Sequence, residues 1–590
     1  MANDNLPKWD LTDFYSNIDS QELNNDLENL NKITEHFYLS YAKSGALDLD
    51  EKSFFSVVKD YEQIFALKYK IGAYAFLQFA TKMQDDAIKS LYQNIMDKLN
   101  HIAQKLTFFE IAVNKIPDEK FNNFINASEY ANYSIWLTNI RAHKKHQLSE
   151  EFEQLFIEKS STTKGIIRIY DELLTHLKFE YDSHVYSLEE IFNLLTLAKE
   201  SDIRIAIATN ISKVLEKNGY LFQLITNILA KDKSIYDKWH NFTLPAESMN
   251  FYNQIENEIV ENLTHSVIQN YSSTSHRYFN IKARILNKEK LHYSDRNAPL
   301  PFSDKKIYSW EEAKDLVIQA FSNFAPEIGM IAKKFFDKNW IDAGVYEGKR
   351  GGAFSHPTSP LVHPYILVNF QGTLRDVSTL AHEIGHGIHQ YLAKDQGAIL
   401  SSTPLTFAET ASIFGEQLLF DYILSQETDH KNKITLLANK IEDVLNTVVR
   451  QIAFHDFEST IHNIRKEKEL SLPEINEIWI QTQAKSLGNA FNLDKEYGIY
   501  WTYIPHFIHS PFYVYSYAFG QCLVFSLYKK YQDNPTEFVP KYLDLLSAGG
   551  SKSHSELLKP FNLNLQDNDF WNNGLQMLKT YIDKLETYLN

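Results

Sequence analysis

Thr373-Leu-Arg-Asp376-Val-Ser-Thr-Leu-Ala-His382-Glu383-Ile-Gly-His386-Gly-Ile-His389 is the stretch on which the reading of this chain turns. A helix is expected to open at Thr373, with Asp376 in its first turn. Leu374, Val377, Leu380, Ala381, Ile384 and Ile388 recur at helical spacing, which predicts an amphipathic helix anchored by a buried stripe. At about 100° per residue, His382 and His386 return to nearly one face, so both imidazoles can address a single metal ion. Glu383 stands beside them.

This pattern suits hydrolysis by an activated water. Zinc lowers the pKa of bound water toward about 7, and a carboxylate such as Glu383 can take the released proton and later return it to a departing amine. Catalytic zinc sites carry three protein ligands and keep one position open, so a third donor is required. Between Gly387 and Glu416 the only carboxylates are Asp395, Glu409 and Glu416. A three-histidine site needs Gly at position 389 and His at 392, where His389 and Leu392 stand. A glutamate at 405 or 406 is equally missing, because Leu405 and Thr406 occupy those places. Glu409 is therefore chosen as third ligand, at the start of a helix with Phe407, Ala411, Phe414, Leu418 and Tyr422 on its apolar side. The competing reading is a capping box between Thr406 and Glu409. Glu416, seven residues on, shares Glu409's face and is expected to hold a ligand histidine's second nitrogen. His389 reads as structural, since a fourth protein ligand would close the open position. Ahead of the helix, His363-Pro-Tyr-Ile-Leu-Val-Asn-Phe370 predicts a strand.

Several separated segments resemble oligoendopeptidase F, of the thimet-oligopeptidase-like zinc metallopeptidases. They are Leu6-Pro-Lys-Trp9-Asp10-Leu-Thr-Asp-Phe14-Tyr15, Gly348-Lys-Arg-Gly351-Gly352-Ala353-Phe354, Asn369-Phe-Gln-Gly372-Thr-Leu, Phe407-Ala-Glu409 and Ile504-Pro-His506-Phe-Ile-His509-Ser-Pro-Phe-Tyr513-Val-Tyr515-Ser-Tyr517-Ala-Phe-Gly520. The resemblance implies a mainly α fold of two helix-rich lobes enclosing a deep substrate channel, with a small β element beside one zinc ion per chain. It also implies short peptide substrates cut at internal bonds. His506, His509, Tyr513, Tyr515 and Tyr517 become candidates for substrate and oxyanion contact, and which imidazole faces the oxyanion stays open. Gly351, Gly352 and Ala353 would lie along the substrate backbone as an extended segment. The chain departs from the family at Gly344-Val-Tyr-Glu347, where a Pro-Arg pair is usual, and at His509, where relatives often carry Tyr. An exopeptidase of the same fold and a catalytically inactive peptide-binding homologue are the alternatives.

Composition agrees with long helices, because 20 glycines and 16 prolines in 590 residues make about 6% against a usual roughly 12%. A length of 590 residues exceeds one ordinary core. The segments from about Ser20 to Glu180 read as packed helices, and Phe179-Glu-Tyr-Asp-Ser-His-Val-Tyr186 changes to a turn-like composition. Residues 1–185 are accordingly read as a helical amino-terminal domain and 186–590 as the catalytic domain. A net charge of −16 argues against nucleic-acid binding, which needs a basic face. One cysteine, Cys522, leaves no intramolecular disulfide to form. The opening residues lack an apolar signal core and no run of about 18 apolar residues occurs. The expectation is a cytoplasmic protein with no membrane attachment and no obligate protein partner.

Overall fold

A computed structural model describes residues 6–42, 49–301, 306–403 and 405–590. Helices make up most of it, as the low glycine and proline content requires. Residues 1–5, part of the opening read for a signal core, lie outside the described residues. Helix starts are marked chemically: Ser187, Ser309, Thr373, Ser471 and Ser553 each cap a helix and receive an acidic side chain three residues on. Among the described residues there are seven short strands, β1 (Phe179–Tyr181), β2 (His184–Tyr186), β3 (Leu291–His292), β4 (Ile341–Asp342), β5 (Phe354–His356), β6 (Tyr365–Leu367) and β7 (Phe491–Asn492). No helix among the described residues is long and apolar enough to cross a membrane.

The chain forms two compact units that are interleaved in sequence. The first comprises residues 1–144, 305–426 and 530–563, and the second 145–304, 427–529 and 564–590. The compositional change near residue 185 corresponds to the β1–β2 hairpin, which lies inside the second unit.

In the first unit, β4 pairs parallel to β6 and β5 pairs antiparallel to its other side, so β5 is an edge strand. The strand expected over 363–370 is shorter, spanning Tyr365–Leu367, although the Val368 and Phe370 amides still donate to the carbonyls of Asp342 and Ala343. The opening segment braces this sheet. Trp9 and Phe14 pack on Tyr365, the Tyr365 hydroxyl donates to the Asp10 carbonyl at 2.7 Å, and the Ala343 amide donates to Pro7. Lys349 is buried against the sheet's end, paired with Asp342 at 2.7 Å and donating to the carbonyls of Asp342, Gly344 and Val368. Helices Leu374–Ala393 and Leu405–Gln426 pack on this platform, and Phe414 of the latter joins an aromatic cluster with Phe324, Phe538 and Tyr542.

The second unit is organised around Trp479, which is fully buried among Phe454, Phe457, Tyr497 and Phe507. Arg204, deeply buried in this unit, pairs with Asp295 at 2.6 Å and also donates to the carbonyls of Ala198 and Lys199. A guanidinium can tolerate such burial because its donors are satisfied in a fixed fork.

Candidate metal centre

Helix Leu374–Ala393 begins at Thr373, whose side chain accepts from the Asp376 amide while Asp376 bonds back to the cap. Val377, Leu380, Ala381, Ile384 and Ile388 are buried, as the helical stripe requires, and Leu374 is half-buried at the first turn. The opposite result would have turned the histidines inward. His382 and His386 instead lie one turn apart with ring centroids separated by 4.8 Å, partly open to solvent.

Glu409 comes from helix Leu405–Gln426, and its Oε2 lies 3.4 Å from Nε2 of each histidine. One donor atom from each of the three residues falls within 4.8 Å of the others, and this is the only such group of three or more metal-binding side chains among the described residues. The competing capping box would involve the Thr406 side chain, which lies outside the described residues; the Glu409 carboxylate accepts from Ser412 Oγ at 2.9 Å. Two glycines make the convergence possible. A Cβ on Gly385 would lie 2.4 Å from the Ala411 carbonyl oxygen, and one on Gly415 would lie 2.7 Å from the Phe321 ring and 3.0 Å from the Ala381 carbonyl. The glycine inside the His-Glu-x-x-His motif thus lets the two helices touch backbone to backbone.

The electrostatics match a cation site. Burial opposes charge on His382, but the Glu416 hydrogen bond, followed by the charges of Glu416, Glu383 and Glu409, holds its imidazole up at about 9. Burial likewise opposes charge on Glu409, yet His386, His382 and Ser412 hold that carboxyl down at about 2. Burial pushes the Glu383 carboxyl up. Three carboxylates therefore surround two imidazoles, an arrangement that a divalent cation would balance. Glu416 Oε1 lies 2.6 Å from His382 Nδ1, which leaves Nε2 of that ring to face the centre. Oε2 of Glu383 is buried with no hydrogen-bond partner among the described residues. A buried carboxylate oxygen without a donor is expected beside an ion or a reacting molecule rather than in a plain core. The donor set of two imidazoles and one carboxylate fits zinc with a position to spare. His389 is buried and its Nε2 lies 3.2 Å from Thr403 Oγ1, in keeping with a structural histidine.

Gly351, Gly352 and Ala353 lead into the edge strand β5, with Gly352 at φ +78° and its carbonyl held by the Asn369 side chain. The link between β5 and the histidine helix is a pair that sequence reading missed. Ser355 Oγ donates to Gln390 Oε1 at 2.8 Å, and Gln390 Nε2 returns to the Ser355 carbonyl at 3.2 Å. The signal was present, since Gln390 follows His386 by one further helical turn.

The remaining candidates lie in the second unit. His506, Tyr513 and Tyr517 form one cluster: His506 Nε2 lies 3.1 Å from the Tyr517 hydroxyl, and the Tyr513 ring meets Tyr517 edge-on at 5.4 Å. His509 is turned elsewhere, with Nε2 2.8 Å from Asp171 Oδ1. Tyr515 departs from the expectation of a substrate-facing group, being fully buried with its hydroxyl accepting from Asn253 at 2.8 Å. Residues two apart at a helix start point to nearly opposite sides, so Tyr515 turns in where Tyr517 turns out.

A mainly helical chain with a His-Glu-x-x-His helix and a third carboxylate one helix later defines a peptidase, and the comparisons agree. The model of Peptidase family M3 matches residues 246–577, more than half the chain and all the side chains of the candidate centre. The chain belongs to peptidase family M3. A second model, Oligopeptidase F, matches residues 113–179. An oligoendopeptidase F homolog from Borreliella burgdorferi is 28% identical, with 98% of each chain covered. The fold is shared with a solved Chlamydophila abortus chain at TM-score 0.89 and 24% identity, covering 98% of both. It is also shared with the crystal structure of oligoendopeptidase-F from Enterococcus faecium at TM-score 0.69 and 20% identity, covering 96% of this chain and 99% of that one.

Proposed function

We propose that this peptidase is a zinc-dependent, cytoplasmic endopeptidase that cuts internal bonds of short peptides. His382 and His386 through Nε2, together with the Glu409 carboxylate, would hold one zinc ion per chain. When bound, zinc supplies a Lewis acid for the scissile carbonyl and lowers the pKa of water toward about 7. Glu383 accepts the proton of the attacking water and delivers it to the departing amine nitrogen. Glu416 fixes the His382 ring by holding Nδ1. The edge strand β5, approached through Gly351, Gly352 and Ala353, takes the substrate backbone as an added strand. His506, Tyr513 and Tyr517 are assigned to substrate and oxyanion contact, where one donor is worth about 3 to 4 kcal/mol in the transition state. Residues 186–590 carry every one of these groups.

The observation that carries this reading is the convergence of His382, His386 and Glu409 beside a buried, unpartnered Glu383 oxygen. Glu383→Gln tests it. The variant should bind zinc in the same amount as the parent and lose nearly all cleavage of a quenched peptide; normal cleavage would remove Glu383 from the mechanism. Mass spectrometry of the products from one mid-length peptide separates the alternatives. Internal fragments support an endopeptidase, exclusively terminal trimming supports an exopeptidase, and intact peptide retained by a metal-free protein supports an inactive binding homologue.

A further inference from the structure

Phe512, in the segment between His506 and Tyr517, is fully buried and holds a left-handed backbone with φ +66°. A bulky residue in that region is strained and persists only where its surroundings enforce it. The surroundings here are polar. Helix Arg450–Glu467 presents His455, Glu458 and His462, spaced to share one face, and all three are turned onto Phe512. The His462 ring meets the Phe512 ring at 4.9 Å and His455 meets it at 5.7 Å, while Lys233 Nζ stands 5.6 Å from its centroid. Lys233 is itself held by Asp237 at 2.7 Å and by Ser248.

Glu458 adds a side-chain bond to a turn that the Tyr513 amide already closes on the Ser510 carbonyl. Its Oε1 accepts the Phe512 amide at 3.0 Å, at a position where the left-handed turn gives that amide no helical acceptor. Its Oε2 is buried with no hydrogen-bond partner among the described residues. An apolar side chain would fill this core position at lower desolvation cost, so the acceptor is the feature that distinguishes glutamate here.

We propose that Glu458 is a positioning residue for the aromatic cluster: by taking the Phe512 amide it locks the left-handed turn from which Tyr513 and Tyr517 project. The proposal rests on the assignment of His506, Tyr513 and Tyr517 to substrate contact. Downstream of the clamp, the Tyr513 amide donates to Ser510, the Ser516 amide to Tyr513 and the Tyr517 amide to Val514, so the orientation set at Phe512 passes directly into the first turn of helix Tyr515–Asp533. Burial pushes the Glu458 carboxyl up to about 8 against the opposing effects of the Phe512 amide and Lys233. Glutamine, neutral and with an acceptor in the same place, is therefore the conservative replacement, and leucine removes the acceptor at similar volume.

The test compares Glu458→Gln and Glu458→Leu in the full zinc-loaded chain, well below melting, with peptide kinetics and hydrogen exchange read by mass spectrometry. Glu458→Leu should lower kcat about tenfold or more with KM little changed, the mark of a contact made in the transition state. Exchange over 510–517 should quicken about tenfold, the loss of one buried hydrogen bond, while 374–393 stays protected. Glu458→Gln should remain near the parent in both. A folded Glu458→Leu chain with parental kcat and exchange overturns the proposal, as does a Glu458→Gln chain damaged as severely as the leucine variant. Should the leucine variant fail to fold, exchange of the Phe512 amide in the parent carries the test: protection comparable to that of the neighbouring helix Tyr515–Asp533 supports the clamp, and exchange as fast as an open loop refutes it. Exchange requires no peptidase activity, so it judges the clamp alone. Quickened exchange with unchanged kcat would fault the substrate role of the cluster instead.

Discussion

Gly385→Ala puts the geometry of the candidate centre under direct strain. The new Cβ would sit 2.4 Å from the Ala411 carbonyl oxygen and 2.7 Å from the Ser412 Cα, against 3.4 Å at the short end of ordinary contact. Both obstacles are backbone, so no side-chain rotation relieves them and the two helices must part by about 1 Å, a displacement well beyond the roughly 0.2 Å that metal–ligand distances tolerate. Inserting a methyl into a packed contact costs about 1 to 3 kcal/mol. If the helices must be drawn together again to bind zinc, that cost is subtracted from affinity, a loss of about 5- to 150-fold. Titration of metal-free protein with zinc against a chromophoric chelator measures it, alongside melting with and without the ion. Gly165→Ala is the control, since nothing lies within 4 Å of the position and it sits on an exposed helix; it should be neutral or stabilising by up to about 1 kcal/mol. A Gly385→Ala chain with parental zinc affinity would refute the claim that glycine is needed for the approach of Glu409.

Other outcomes follow from the same physics. Glu416→Ala frees the His382 ring and should weaken zinc binding about 10- to 100-fold, read by the same titration; unchanged affinity would make Glu416 incidental. Lys349→Met leaves Asp342 buried and unpaired and should destabilise the chain by about 3 to 5 kcal/mol, with partial recovery in the double variant Lys349→Met/Asp342→Leu. Equal melting of single and double variants would show that the ion pair does not matter. Burial holds His455 at about 4 and His462 at about 3, below the ordinary value of 6.5. Between those values the unfolded chain carries protons that the folded chain does not, so stability is complete above pH 6.5 and falls as pH drops, by at most about 1.4 kcal/mol per unit for each ring. Glu458 acts in the opposite sense: raised to about 8, it favours the folded state when protonated and loses that contribution as pH rises from the ordinary carboxylate range. Melting followed from pH 4 to 8 should show a shallower acid limb for His462→Phe than for the parent, and an identical limb would contradict the assignment.

The helix that carries the histidines was legible because its opening at Thr373, its apolar period and its motif all agree, and each is local. Glu416 was legible for the same reason, as a seven-residue step along one helix face. The strand before it was overestimated: only 365–367 pair as strand, with the Val368 and Phe370 amides continuing the bonding to the chain beyond β4. What the sequence hid was long-range. The grip of helix Arg450–Glu467 on Phe512 left only a faint trace, the spacing of His455, Glu458 and His462, and the left-handed turn that gives it meaning has no signature in a phenylalanine. Tyr515 and Tyr517 could have been separated by their two-residue offset. The division of the chain into compact units could not, because contacts between segments hundreds of residues apart impose no periodicity on either.

That division constrains biosynthesis. A ribosome delivers the histidine helix and the Glu409 helix well before Phe538 and Tyr542, the rings that pack on Phe414 in the same unit. Until those late residues emerge, the nascent chain carries the candidate metal donors on an unfinished support. Premature termination between residues 410 and 530 would release a polypeptide that has the candidate donors but not the late segment that packs on Phe414.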